Sequence, residues 1–108
     1  MTVESLAKEC GFNAICMPSP EREPKGAYIG DLLSWVMGKA DSGNVWITIM
    51  SNINVIAVAT LADASCIVLA EGVTIDEDVT SAAMAKGVNV LSSPLSAYEI
   101  AKQLQSVI

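Results

Sequence analysis

The residues of this chain that could do chemistry are few, and they gather where apolar runs stop. Gly30-Asp31 with Ser34, Met50-Ser51-Asn52 with Asn54, Glu71-Gly72, and Ser92-Ser93 with Ser96 lie at the ends of strand-like segments, with Thr48 just inside one of them. Hydroxyls, amides and the free N–H groups of a helix start can hold an anion or a nucleotide at such corners. In open α/β sheets, ligands bind beyond the carboxyl ends of the strands. The candidate binding residues are therefore Asp31, Ser34, Thr48, Asn52, Asn54, Ser92 and Ser96. Each also suits a purely structural role, as an N-cap or turn residue satisfying backbone groups.

Catalytic constellations are missing. No GxxxxGK[ST], GxGxxG or GxSxG pattern occurs, and with no histidine a Ser-His-Asp triad cannot be assembled. Asp31 precedes a helix start, which favours its charged form and works against a role as base. The three cysteines, Cys10, Cys16 and Cys66, are odd in number and lack CxxC spacing. They read as small buried apolar residues of a reducing compartment. No catalytic residue, metal or cofactor is expected.

The elements that must position these corners centre on Ala27–Ala62. Ala27–Gly30 is strand-like, with Asp31 placed to cap a helix over Leu32–Lys39. Leu32, Trp35 and Val36 recur at helical spacing and are expected to face the core. Leu33 and Met37 form an adjacent apolar row, so this helix should be covered on two sides, within the fold or at a subunit interface. Val45–Met50 is apolar on both faces, as suits a central parallel strand between helical layers. Ile53–Leu61 is ambiguous by periodicity. The dozen or so residues between two buried strands are the least that a parallel crossover needs, which predicts a helix.

The flanking segments extend the alternation. Thr2 caps a helix that ends at Gly11, and Phe12–Cys16 predicts a first strand. Met17–Gly26, with three prolines, is a surface loop. Ser65–Ala70 and Val88–Leu91 read as strands, and Asp76–Lys86 as a helix stopped by Gly87. Pro94 suits the first turn of a closing helix, Leu95–Ser106, whose apolar side includes Tyr98, Ile100 and Leu104. The fold class is α/β: a three-layer α/β/α sandwich on a mainly parallel sheet of about five strands.

The 108 residues fit one domain, 1–108. At 52% apolar, the chain exceeds the roughly 45–50% usual for soluble domains, and an exposed apolar surface is expected. That points to a homo-oligomer, most simply a dimer. The net charge of −6 and the absence of a Lys/Arg cluster exclude nucleic acid as a partner. No apolar run nears the ~20 residues of a membrane span. Met1–Cys10 carries Glu4, Lys8 and Glu9, unlike a signal peptide, so a soluble cytoplasmic protein is expected.

Four segments together resemble the small stand-alone DRTGG-domain proteins: Tyr28–Met37 (YIGDLLSWVM), Trp46–Ile49 (WITI), Asn54–Ala59 (NVIAVA) and Leu95–Ala101 (LSAYEIA). The loop Glu21–Ala27 is similar to the family's naming motif, keeping Arg22 and Gly26 with Ala27 in place of the second glycine. The resemblance implies a fold like the N-terminal domain of HPr kinase/phosphorylase, without that enzyme's P-loop domain. It also implies a regulatory or dimerising module. Two functions are weighed on this basis. The first is a non-catalytic regulatory or interaction module, homodimeric, that senses a small anionic or nucleotide ligand or docks a larger protein partner. The second is an enzyme or enzyme subunit acting on a phosphorylated or nucleotide metabolite through Asp31, Ser34, Thr48 and Asn54.

Overall fold

A computed structural model describes residues 1–108. The elements run α1 (Val3–Cys10), β1 (Asn13–Cys16), β2 (Ala27–Ile29), α2 (Leu33–Lys39), β3 (Val45–Thr48), α3 (Asn54–Ala62), β4 (Cys66–Leu69), α4 (Glu77–Lys86), β5 (Val90–Ser92) and α5 (Ala97–Gln105). The five strands lie in the order β1-β5-β4-β3-β2. Strands β2 to β5 are parallel, with Tyr28 beside Trp46, Trp46 beside Ile67 and Ile67 beside Val90. Strand β1 closes one edge antiparallel to β5.

The sheet is central because β3 and β4 are buried on both faces, as their unbroken apolar runs require. Alternate residues feed two separate cores. Trp46, Ile67 and Leu69 pack with Val36, Val55 and Val79 under α2, α3 and α4. Val45, Ile47 and Val68 pack with Leu6, Ile100 and Leu104 under α1 and α5. One layer thus has three helices for five strands, and the other has two. The three-layer sandwich expected from the sequence is the fold.

Local signals set most of the helix ends. The Thr2 side chain accepts a hydrogen bond from the Ser5 N–H at 3.1 Å, and Ser96 accepts from Glu99 N–H at 3.2 Å. Gly87 ends α4 at φ 72°, a left-handed conformation that favours glycine. Gly30 leaves room for a neighbour: a Cβ there would sit 2.9 Å from Cε2 of the Tyr28 ring and would force that ring to move.

Several expectations need correction. Asp31 does not cap α2; Leu32 occupies the N-cap without any side-chain bond, and the Asp31 carboxylate turns back to β3. On α2 only Val36 is buried, whereas Leu32 is 59% and Trp35 56% exposed. The helix lies over the sheet margin, so a single narrow stripe meets the core. Tyr98 is likewise exposed, at 70%, because α5 buries Ile100 and Leu104 instead. Phe12 is buried but precedes β1. Pro94 stands ahead of the closing helix, which begins only after the Ser96 cap.

The loop Met17–Gly26 is strapped to the rest of the fold. Ser19 N–H donates to Asn89 Oδ1 at 2.9 Å, and Asn89 Nδ2 donates back to the Ser19 carbonyl at 2.7 Å. The N–H groups of Val3 and Glu4 donate to the carbonyls of Arg22 and Pro20. Lys25 N–H donates to the Gly43 carbonyl at 2.8 Å.

Candidate functional site

The carboxyl ends of β2 and β3 bring two of the seven candidate residues into contact. Asp31 Oδ1 accepts from the Thr48 hydroxyl at 2.8 Å and from the Ile49 N–H at 3.0 Å. The Thr48 oxygen in turn accepts from Met50 N–H at 3.1 Å. Thr48 is almost wholly buried, and Asp31 is exposed. Register explains the pairing: Ile29 lies beside Ile47, which places Asp31 level with Ile49 just past the strand ends. The carboxylate therefore stitches β2 to β3.

The other candidates divide in the same way. Asn52 Oδ1 accepts from Asn54 N–H at 2.9 Å, an Asx-type turn that starts α3. Ser34 and the Asn54 amide are exposed, at this same end. Ser92 is buried, two strands away from β3 and so roughly 10 Å off; its hydroxyl accepts from Asn13 Nδ2 at 3.4 Å. Ser96 is occupied as the α5 cap. The candidates thus form two small sets, Asp31 with Thr48 and Asn52 with Asn54, which lie with Ser34 at the same end of the neighbouring strands β2 and β3, while Ser92 and Ser96 stand apart.

The group is an exposed corner rather than a cleft. The three cavities of the molecule lie elsewhere, lined by Ala27, Ala101 and Leu104, by Arg22, Asp63 and Lys86, and by Ala7, Phe12 and Met17. Exposed apolar side chains surround the corner instead: Leu32, Ile49 and Ile53 are each between 45% and 59% exposed.

The amino-terminal end of the sheet carries the strongest electrostatic arrangement, one that spacing did not reveal. Arg22 Nη2 contacts Asp63 Oδ1 at 3.1 Å and donates to the Asp63 carbonyl at 3.2 Å. The Ser42 hydroxyl donates to the other carboxylate oxygen. The Ser42 hydrogen bond, aided by the Arg22 charge, holds the Asp63 carboxyl below its ordinary pKa. The stability it contributes is present above the unfolded value of about 4 and is lost as pH falls through the lower folded value. Wild type should therefore lose more thermal stability than Asp63→Asn on going from neutral pH to about pH 2. Parallel melts across that range check this; identical pH profiles would exclude the latch. Asparagine is the suitable replacement because position 63 has φ 55°, which Asn tolerates.

No group of three or more Cys, Asp or Glu side chains could hold a metal ion. Burial pushes the Cys66 thiol up to about 12 and raises those of Cys10 and Cys16, which disfavours the reactive thiolate. No helix is long and apolar enough to cross a membrane.

The architecture defines a class: a three-layer α/β/α domain with four parallel strands and one antiparallel edge. Within that class the chain belongs to the DRTGG-domain family, whose model matches residues 31–107. The match begins at Asp31, so the loop Glu21–Ala27 lies outside it. Among solved structures, the chain is similar to the CBS and DRTGG domains of the regulatory region of Clostridium perfringens pyrophosphatase, complexed with the activator diadenosine tetraphosphate. The two share 10% identity at a TM-score of 0.78, over 95% of this chain and 45% of that one. The chain therefore spans less than half the length of that structure. No curated protein matches it.

Proposed function

We propose that this domain is a non-catalytic regulatory or interaction module, working as a homodimer, whose input is a small anionic or nucleotide ligand. The observation that carries the reading is how the polar corners are used. Asp31, Thr48, Asn52, Ser92 and Ser96 are all engaged in holding the fold together, while Leu32, Ile49 and Ile53 stand in solvent around the Asp31 corner. That is the surface of a domain that makes contacts, not one that turns over a substrate. Membership of the DRTGG family supports it, as does the likeness to a regulatory region that takes a nucleotide activator.

The Asp31 corner is the place for such a ligand. The Asn52 Nδ2 group, the exposed Asn54 amide, the Ser34 hydroxyl and neighbouring apolar side chains suit the base and sugar of a nucleotide better than a bare anion. Three unpaired thiols suit a reducing, cytoplasmic setting. The alternative, an enzyme acting through Asp31, Ser34, Thr48 and Asn54, has no specific observation in its favour.

A thermal-shift screen with adenine and guanine nucleotides, nucleosides, phosphate and sulfate tests the ligand. At 100 times its Kd a ligand adds about 2.7 kcal/mol, a rise of several degrees in a domain of this size. Nucleotides should raise Tm, and Asn54→Ala should abolish the rise without lowering the melting point of the free protein. A screen with no shift would remove the ligand and leave a module that acts through protein partners.

A further inference from the structure

We propose that two copies of this chain join through the free edge of β2, pairing β2 with β2 antiparallel about a two-fold axis at Tyr28, so that the sheets become continuous. The inference rests on the homodimer reading above and says where the contact lies. It begins with the backbone. Val45 N–H donates to the Gly26 carbonyl at 3.0 Å, and Gly30 N–H donates to the Ile47 carbonyl at 3.2 Å. Residues 26, 28 and 30 therefore turn their polar groups toward β3, and alternation turns those of Ala27 and Ile29 outward. No strand pairs with this edge, since β2 is the last of the sheet, and Ala27 and Ile29 are exposed on it. An uncovered edge is a template for another strand.

The edge is self-complementary. Placing Ala27 opposite Ile29 of a second copy lets both residues exchange N–H···O=C bonds, and the two-fold repeats the exchange on the other side of Tyr28. Such an isologous contact closes at two subunits. In the same register Asp31, beyond one end of β2, lies alongside Lys25, beyond the other end in the second copy. Lys39 Nζ lies 4.4 Å over the Trp35 ring of its own helix, which caps that apolar side chain with a charge.

Apolar side chains of both layers converge on this edge. On α5, Gln103 reaches toward α1 to the Cys10 carbonyl at 3.1 Å. The opposite flank, with Ala101, Gln105 and Ile108, borders a cavity of about 200 Å³ against Gly26 and Ala27 of the β2 segment. Tyr98 lies on that flank, and Ile29 projects from β2 on the same side of the sheet. On the other side, a right-handed crossover turns Leu33 toward α3 and leaves Leu32 and Trp35 facing outward past β2. Ile29, Leu32, Trp35, Tyr98 and Ile108 are 51%, 59%, 56%, 70% and 38% exposed. Together they offer on the order of 500 Å² of side chain, most of the ~800 Å² that each partner gives to a stable interface.

Sedimentation equilibrium of the full chain and a cross-linking variant test this. Wild type should be dimeric, Ile29→Lys should raise the dimer dissociation constant at least tenfold, and Met84→Lys on distant α4 should leave it unchanged. Two Tyr28 residues would form a non-hydrogen-bonded pair with Cα atoms ~4.5 Å apart, within the range a disulfide bridges. Tyr28→Cys should therefore oxidise to a covalent dimer that melts cooperatively, and this outcome decides the matter if Ile29→Lys does not fold. A wild-type monomer at high concentration would overturn the homodimer and this face together. A wild-type dimer that survives Ile29→Lys, with no cross-link through position 28, would overturn this face and leave the homodimer standing.

Discussion

Trp46→Ala is expected to lower stability by about 3–5 kcal/mol, the range for emptying a large aromatic site in a core. Trp46 is wholly buried on the central strand β3, beneath α2 and α3, among Val36, Val55 and Ile67. Its indole N–H also donates to the Gly30 carbonyl at 2.9 Å, at the corner where β2 gives way to Asp31. Alanine would leave both a void and an unpaired carbonyl. Small domains hold only 5–15 kcal/mol in all, so the melting point should fall on the order of 20 °C. Trp46→Phe separates the two losses, keeping most of the ring volume while removing the donor, and should cost about 1–3 kcal/mol. Urea titration of both variants gives the comparison. A Trp46→Ala shift of only a few degrees would contradict a fully packed layer between the sheet and α2–α3.

The central elements were legible because they are overdetermined. A run such as Val45-Trp46-Ile47-Thr48 fits nothing but a strand buried on both faces, and the crossover length between β3 and β4 admits a helix and little else. The margin of the sheet was less legible. Apolar spacing on α2 says which residues share a stripe but not how wide a surface lies beneath them. At the sheet edge that surface narrows to one position, Val36, and Leu32 and Trp35 are left in solvent. The same ambiguity affects Tyr98, which shares a helix with the buried Ile100 and Leu104 yet is 70% exposed. Misplaced core residues here mark the margin of the sheet, where the surface beneath the helices runs out.

The candidate site was legible as a set of corners and not as a set of contacts. Sequence order places Asp31 before a helix, where capping is the default. Only the parallel register of β2 against β3 shows that its carboxylate reaches Thr48 and the Ile49 N–H instead. The Arg22–Asp63 pair joins positions 41 residues apart, and no local pattern announces it.

Asn89→Ala is expected to cost about 3–4 kcal/mol, an effect out of proportion to the atoms removed. Asn89 sits 1% exposed at the start of β5, where Val88, Val90 and Leu91 are apolar, and its polarity there is the one signal the sequence carried. All three of its side-chain hydrogen bonds go to backbone. Oδ1 accepts from Ser19 N–H, and Nδ2 donates to the carbonyls of Ser19 at 2.7 Å and Ser65 at 3.0 Å. One amide thus closes the proline-rich loop onto the sheet and joins it to the segment entering β4. The loss should be partly local: the Val3 and Glu4 amides, bonded to Arg22 and Pro20 of that loop, should exchange with solvent faster than those of β4. Asn89→Asp provides the control for size. It keeps the shape of the side chain but turns a carboxylate oxygen on two carbonyls, so it should destabilise at least as much as alanine near neutral pH. If Asn89→Asp were as stable as wild type, the donor pair would not be what holds the loop. Uniform exchange rates in Asn89→Ala would mean that loop and sheet unfold as one unit, and the strap would then be part of the core and not a separate fastening.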